Sequence, residues 1–460
     1  MRNKIITCLF WLAVWQAAAQ LVSSKLLLPG PADVLLALGG LAQTGKFYMD
    51  IGWTAARCIM AMALSFAAGI PAAVISYRSR TARSLLSLPV GFFKAVPVMA
   101  IIIYVILLAQ SEWVAVIVCF FMCFPIVYTN ILEGLDAMPS EYREVGNIYG
   151  LSSAEIVRYI YVPGLLPQIK AAISLTAGLS WKAVVASEVL SIPKYSLGYE
   201  MINAKYYLET ADLFAYIFVI VVLSMAFEKL INMGLRRIEW KGYEGSRLHM
   251  HESRFSDCPA AAPQIEVCGL TKTFEDKHVL DNVNMVLEAG KVTALMGPSG
   301  QGKTTLARII AGLETADSGN VIIGGREALN GSYAGRTAFL FQEDRLLPWL
   351  NIYDNIALGR RAADPEKIRN LARQLEIEKE LWKLPDELSG GQRHRAALAR
   401  TFAADTSLMI LDEPFRGLDG ALKDRIIDRL WTAETAGRTV LLITHSEGDA
   451  DRLADKILGL

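Results

Sequence analysis

The sequence predicts two folds in series: an all-α membrane domain of six helical spans, then an α/β domain built around a phosphate-binding loop. Three observations carry this. Of the 92 Asp, Glu, Lys and Arg residues, 29 fall in the first 231 positions and 63 in the remaining 229. Long uncharged runs recur through the first half. In the second half a strand-like segment runs straight into Gly297-Pro298-Ser299-Gly300-Gln301-Gly302-Lys303-Thr304-Thr305. The expected boundaries are 1–237 for the membrane domain, 238–263 for a linker and 264–460 for the α/β domain.

At 460 residues the chain exceeds one ordinary domain, and 53% hydrophobic against 20% charged residues leans away from a purely soluble protein. Zero net charge gives no reason to expect a nucleic-acid partner. Cys8, Cys58, Cys119 and Cys123 lie in apolar runs, and Cys258 and Cys268 stand near the domain junction. None has metal-ligand spacing with histidine, so reduced structural thiols are expected.

A helix needs about 20 apolar residues to cross a bilayer core. Ile5–Ser24, Cys58–Tyr77 and Trp113–Leu132 are uncharged over that length; Ala95–Ser111, Leu165–Leu190 and Leu213–Phe227 complete six spans. Lys and Arg accumulate on the cytoplasmic side. Arg2 and Lys4, then Arg78, Arg80 and Arg83, then Arg143, Arg158 and Lys170, then Arg236, Arg237 and Lys241 all fall on one side if both termini are cytoplasmic. A cleaved signal peptide ending near Ala17-Ala18-Ala19 is the alternative for the first run. Lys182 and Glu188 are ionisable residues inside the fifth span, where a charge is expensive; they are either functional or turned to an interface or a partner. Arg57 is expected at the outer boundary of the second span.

The polar stretch from Arg236 to about Pro263 reads as the linker. Beyond it, Val292–Met296 is a short apolar strand, and Gly297–Thr304 has the G-x4-G-K-T spacing in strand–loop–helix context. Its glycines let backbone N–H groups wrap phosphates, and the helix starting near Lys303 points its positive end at them. Lys303 is expected to neutralise the β and γ phosphates of ATP, and Thr304 to give a hydroxyl to Mg2+. Leu408–Leu411 is an apolar strand ending in Asp412 and Glu413. Asp412 is expected to hold the Mg2+ shell and Glu413 to orient or deprotonate the attacking water, since phosphoryl transfer needs positioning and charge stabilisation.

Between these elements lies Leu388-Ser389-Gly390-Gly391-Gln392. This resembles the signature of the ABC ATPase family, and with both phosphate-site motifs in order the resemblance covers about 264–460. It implies that Gln342 senses the γ phosphate near Mg2+, that Asp419 is the D-loop aspartate, that His445 is the switch histidine and that Phe274 stacks on adenine. It also implies that Ser389, Gly390, Gly391 and Gln392 close over ATP held by a second copy, which makes a homodimer with twelve spans. Two departures stand out: Phe415-Arg416 follows Pro414 where the family often has a small residue and Ala, and the chain ends 15 residues past His445, so no C-terminal regulatory domain is expected.

The segment between spans four and five reads Glu144-Val145-Gly146-x3-Gly150-x9-Ile160-x-Val162-Pro163. It is similar to the E-A-A-x3-G-x9-I-x-L-P coupling loop of importer permeases, with Val145-Gly146 in place of Ala-Ala and Val162 in place of Leu. The resemblance assigns coupling to Glu144, Gly150 and Pro163 and implies a type I ABC importer permease. Leu346-Leu347-Pro348-Trp349, Leu28-Pro29-Gly30-Pro31, Phe93–Pro97 and Ala186-Ser187-Glu188 look like the nitrate, sulfonate and taurine importers. That group also carries vitamin precursors, so a small anion or a vitamin-precursor-like solute is expected. Capture is expected to fall to an extracytoplasmic binding protein, and the location to be a bacterial cytoplasmic membrane with the ATPase in the cytoplasm. An exporter, or a membrane-anchored regulatory ATPase, is the alternative.

Overall fold

The computed structural model describes residues 2–22, 24, 26–238, 262–275, 277–328, 337–358 and 365–460. Almost all of the expected linker, Cys258 and the side chain of Cys8 lie outside these described residues. The chain forms two compact units: Met1–Ala137 with Leu165–Glu239, and Met138–Gly164 with Trp240–Leu460. Thus 138–164, which the sequence reading placed inside the membrane domain, packs in the second unit.

Helices α1 (Arg2–Val22), α2 (Pro31–Leu41), α3 (Gly45–Arg78), α4 (Arg80–Ala95), α5 (Val98–Leu108) and α6 (Ser111–Asp136) precede that excursion. The excursion holds α7 (Ser140–Ile148) and α8 (Ser153–Ile156); α9 (Val162–Ser191), α10 (Leu197–Tyr206) and α11 (Thr210–Arg237) follow. Among the described residues α3, α6, α11 and the stretch Ser153–Ser191 containing α9 are long and apolar enough to cross a membrane. These match the second, fourth, fifth and sixth expected spans. The third is not a straight helix, since α4 and α5 meet at 107°. Pro97 disfavours helical backbone at Val96, which is extended (φ −72°, ψ 130°), and so breaks the run. Helix α1 overlaps the first expected span, and Leu9–Val22 within it is apolar.

Small residues draw α3 and α6 together. Cys58, Ala61, Ala115, Cys119 and Cys123 are fully buried, and a Cβ on Gly69 would lie 2.8 Å from Val127 Cγ1. Cys58, Cys119, Cys123 and Cys268 are free thiols.

A polar network is buried in the same unit. Glu188 on α9 accepts hydrogen bonds from Thr54 (3.0 Å), from Arg57 (2.8 Å), both on α3, and from the Gly198 N–H (3.3 Å). Arg57 also donates to Tyr195 O (2.7 Å) and to Glu112 on α6 (2.7 Å), while Glu112 accepts from the Lys194 N–H at 2.9 Å. Arg57 is 4% exposed and packed inside the bundle, with one partner, Glu112, in the first turn of α6. The network pins the turn after α9, where Ile192 holds a left-handed φ of +53° that β-branched residues rarely adopt. Glu188→Gln removes a fully buried carboxylate while Arg57 keeps Glu112 and the Tyr195 carbonyl, so the variant should lower stability by about 1–3 kcal/mol, the worth of a hydrogen bond to a charged group. Thermal unfolding of the detergent-purified variant checks this; an unchanged midpoint would show that the pair does not hold the fold. Lys182, by contrast, is exposed on α9.

The second unit has two sheets. Strands β1 (Ile265–Phe274), β2 (Lys277–Leu287), β3 (Val292–Met296), β4 (Ser318–Ile323), β5 (Arg326–Glu327), β6 (Thr337–Leu340), β7 (Leu408–Asp412), β8 (Thr439–Ile443) and β9 (Lys456–Gly459) form an antiparallel sheet in the order β2-β1-β4-β5 and a parallel sheet in the order β6-β7-β8-β3-β9. Every residue of β7 and β8 is buried, as expected of parallel strands covered on both faces. The helices are α12 (Lys303–Ile310), α13 (Ile352–Ala357), α14 (Pro365–Gln374), α15 (Gly390–Ala403), α16 (Gly420–Ile426), α17 (Thr432–Thr435) and α18 (Glu447–Leu453). Val145, Ile148 and Tyr149, on or just after α7, join the main core of this unit.

Candidate functional site

Three neighbouring strands, β7, β8 and β3, deliver their C-terminal ends to one cleft. This is where open parallel sheets bind ligands. After β3 the chain turns through Gly297–Gly302 into α12. Gly302 holds φ +90°, and a Cβ there would lie 2.7 Å from Val279 O, so only glycine fits this close approach. Lys303 is 6% exposed; its Nζ donates to Gly297 O (2.7 Å) and Pro298 O (2.8 Å), curling the ammonium over the loop. The expected residues Ser299, Gly300, Gly302, Lys303, Thr304 and Thr305 all line the cleft.

Thr304 Oγ1 donates to Asp412 Oδ2 at 2.8 Å, which puts a hydroxyl and a carboxylate side by side. Burial pushes the Asp412 carboxyl above its ordinary pKa, and the Thr304 hydrogen bond works against that. Glu413 follows at the strand end with φ +51°, a left-handed conformation uncommon outside glycine. Its N–H donates to Ile443 O (3.0 Å), which extends the β7–β8 pairing by one residue while its side chain enters the cleft. There Glu413 Oε1 lies 3.1 Å from His445 Nε2. Gln342 also lines the cleft. Backbone strain at such a position is a common mark of function.

The glycine cradle and the paired hard oxygens of Thr304 and Asp412 fit a nucleotide triphosphate and Mg2+.

Other expected residues stand apart from this cleft. Ser389 caps α15, its Oγ accepting from the Gln392 N–H (3.3 Å) while Gln392 Oε1 accepts from the Ser389 N–H (2.9 Å). Ser389 and Gly390 are exposed, Gly391 and Gln392 half-buried, and none lines the cleft of its own chain. Asp419 caps α16 by accepting from the Leu422 N–H (2.8 Å). Phe274, 43% exposed at the end of β1, does not line the cleft; Val279 on β2 does. Lys272 Nζ sits 4.9 Å from the centre of the Phe274 ring. Gln301 and Pro298 belong to the loop without lining the cleft.

The 138–164 segment is gripped from two sides. Glu144 on α7 accepts from Arg308 on α12 (2.9 and 3.0 Å) and from Arg345, three residues past Gln342 (2.5 Å). Burial alone would raise the Glu144 pKa, but the hydrogen bonds and charges of Arg308 and Arg345 outweigh it and hold the group below its ordinary value. Tyr149 OH lies 3.3 Å from Phe339 O, and Trp349 Nε1 donates to Tyr159 O at 2.7 Å. Gly150 turns the chain at φ +70°. Pro163 follows closely on a π turn, Val157–Tyr161, inside the continuous helical stretch Ser153–Ser191.

Residues 280–416 match the family described as ABC transporter, and residues 34–239 match the one described as binding-protein-dependent transport system inner membrane component. The aliphatic sulfonates import ATP-binding protein of Nocardia farcinica is 38% identical over 201 residues, which are 43% of this chain and 77% of that protein. The chain belongs to the ABC transporter family. The sulfate/thiosulfate import ATP-binding proteins of Pseudomonas aeruginosa (36% over 208 residues) and Rhodopseudomonas palustris (39% over 211) each align with 42% of this chain. The chain spans 63% and 59% of those two proteins' lengths. A dimeric bacterial ABC transporter cassette of known structure aligns with 43% of this chain and 94% of its own at 29% identity, with a TM-score of 0.39.

Sequence reading missed several residues that tie the parts of this ABC chain together. Arg308 and Arg345 were silent because an arginine in a helix or loop reads as a solvated charge. Arg400, fully buried, donates to Asp344 O (2.9 Å) and Arg345 O (2.8 Å). His394, 6% exposed on α15, touches two further segments. The only local signal was an arginine and a histidine placed among the alanines of the buried helix face.

Proposed function

We propose that the chain is one half of an ATP-driven importer that works as a homodimer, taking a small solute from an extracytoplasmic binding protein into the cytoplasm of a bacterium. The observation that carries this reading is the Glu144 clamp. An importer-type loop is bonded at once to the helix that leaves the phosphate loop and to the segment after Gln342. A change at the nucleotide is therefore one or two side chains away from the segment that leads into α9.

In the working cycle Lys303 and the loop N–H groups would grip the phosphates; Thr304, Gln342 and Asp412 would hold Mg2+, which would supply neutralisation of the phosphate charge. Glu413 orients the attacking water and takes its proton, with His445 steadying the carboxylate. The separation of Ser389–Gln392 from the cleft of their own chain supports a composite site completed by a second copy. The exposure of Lys182 on a spanning helix supports the same reading, since lipid is a costly neighbour for an ammonium group. Similarity to sulfonate and sulfate import ATP-binding proteins favours a small oxyanion over a vitamin precursor. The membrane is then the bacterial cytoplasmic membrane, with the ATPase on the inner side.

Transport by the full chain in proteoliposomes, with ATP on the cassette side and radiolabelled sulfate or taurine plus candidate binding proteins on the other, tests the reading. Uptake that needs both ATP and one binding protein is expected. ATP-driven flux only in the opposite direction would make it an exporter, and hydrolysis with no flux for any binding protein would favour a regulatory ATPase.

A further inference from the structure

The segment that leads into α9 carries a proline where a helix needs a donor. In an α-helix the carbonyl of Tyr159 accepts from the N–H four residues on, and that residue is Pro163, which has none. The proline ring also crowds the carbonyl four residues back. The helical stretch Ser153–Ser191 meets this with the π turn Val157–Tyr161, closed by the Val162 N–H on Val157 O. In place of its α-helical donor, Tyr159 O accepts from Trp349 Nε1 at 2.7 Å.

Trp349 is held ready for this bond. The stretch from Leu347 to Leu350 is a turn closed by the Leu350 N–H on Leu347 O (3.1 Å). Asn355, fully buried, lashes that turn from within. Its Oδ1 accepts from the Leu347 N–H (2.8 Å), and its Nδ2 donates to Leu347 O (3.1 Å) and Leu350 O (3.0 Å). The indole itself is wedged. Tyr142 meets it edge-on with ring centres 5.2 Å apart, and Gly164 leaves room for it, since a Cβ there would lie 3.2 Å from Trp349 Cη2.

We propose that Trp349 is a positioning residue for transport: it takes up the carbonyl that Pro163 releases and so fixes the turn that opens α9. Glu144, held by Arg308 and Arg345, is a single anchor about which the 138–164 segment can pivot. A second anchor at Tyr159 removes that freedom, so a change at the nucleotide reaches the foot of the spanning helix. Both anchors draw on one stretch, because Arg345 and Trp349 both follow Gln342. The second joins neutral groups and therefore does not weaken with salt. This inference rests on the proposed importer reading and adds to it a second joint beside the Glu144 clamp.

Hydrogen exchange of the full chain in lipid nanodiscs, read by mass spectrometry with and without AMP-PNP and Mg2+, tests the joint without the transported solute. In the wild type, nucleotide should slow exchange at the phosphate loop and also at residues 157–166. Trp349→Phe keeps an aromatic ring beside Gly164 and Tyr142 but removes the N–H. Trp349 does not line the cleft, so the phosphate-loop response should survive. The response at 157–166 should weaken about fivefold, the net worth of one hydrogen bond that water can replace. Pro163→Ala supplies a helical N–H and lets the carbonyl return to the helix; it should cause the same loss, and it serves if Trp349→Phe fails to fold. Two independent structural defects would multiply to roughly 25-fold in the double variant, whereas one shared bond leaves it near fivefold. Multiplying losses, or wild-type responses at 157–166 in both single variants, would overturn the inference. So would a wild type that responds at the phosphate loop and not at 157–166. No response at the phosphate loop would instead refute the nucleotide reading.

Discussion

Glu413→Gln should bind ATP as the wild type does and hydrolyse it about 10²–10⁴-fold more slowly, the usual contribution of a positioned general base. The substitution keeps size and hydrogen bonding but removes the group that can accept a proton from water. The phosphate grip keeps its side chains: Lys303, the Gly297–Gly302 loop and Thr304 are on other elements, and Asp412, the neighbour of Glu413, keeps its bond to Thr304. The strained φ of +51° at position 413 is set by the backbone bond to Ile443 O, which a glutamine preserves. Hydrolysis should therefore fail with binding intact, and in the proposed homodimer ATP should accumulate between two closed cassettes. Equilibrium binding of labelled ATP alongside phosphate release measures both halves. Near wild-type turnover in this variant would remove Glu413 from its role and leave the cleft without a base.

Glu144→Ala should separate hydrolysis from transport. The carboxylate receives three charged hydrogen bonds from Arg308 and Arg345, and its side chain is only 20% exposed. Losing them costs about 2–3 kcal/mol once the freed arginines re-solvate. That is on the order of 100-fold in the population of the docked segment. ATPase activity should survive, because none of the three residues lines the cleft, while uptake falls sharply. The pH dependence follows from the lowered pKa of Glu144. A carboxyl whose folded pKa is depressed stabilises the structure above its unfolded pKa and loses that effect as pH falls through the folded value. Docking should therefore be constant from neutral pH down to the ordinary glutamate range and fail only in stronger acid. Uptake and hydrolysis measured together across that range check the sign; a variant that loses both equally would show that the clamp is part of the ATPase rather than its link.

Legibility in the sequence followed the range of the interactions involved. The phosphate loop, the paired carboxylates and the signature could be read because each is a run of adjacent residues whose chemistry needs that order. Span positions could be read because a helix in lipid must be apolar along its length. The exception was the third span, where Val96-Pro97 sits inside an apolar stretch and turns it through 107°. Hydropathy sums over the break without seeing it. Phe274 lies outside the phosphate-loop cleft, where Val279 lines the wall.

Partnership was what sequence could not express. Arg57 was placed only by its position beside an uncharged run, and its partner Glu188 stands 131 positions away. Glu144 was marked by its motif, but its ligands stand 164 and 201 residues away. By itself the sequence determined the two folds, the order of the motifs and the chemistry each could perform, because those depend on local composition and spacing. Only the tertiary structure decided which charges are paired and which segment rests on the cassette. A buried charge is tolerated only with a partner, and the partner is chosen by the packing of distant elements rather than by neighbours along the chain.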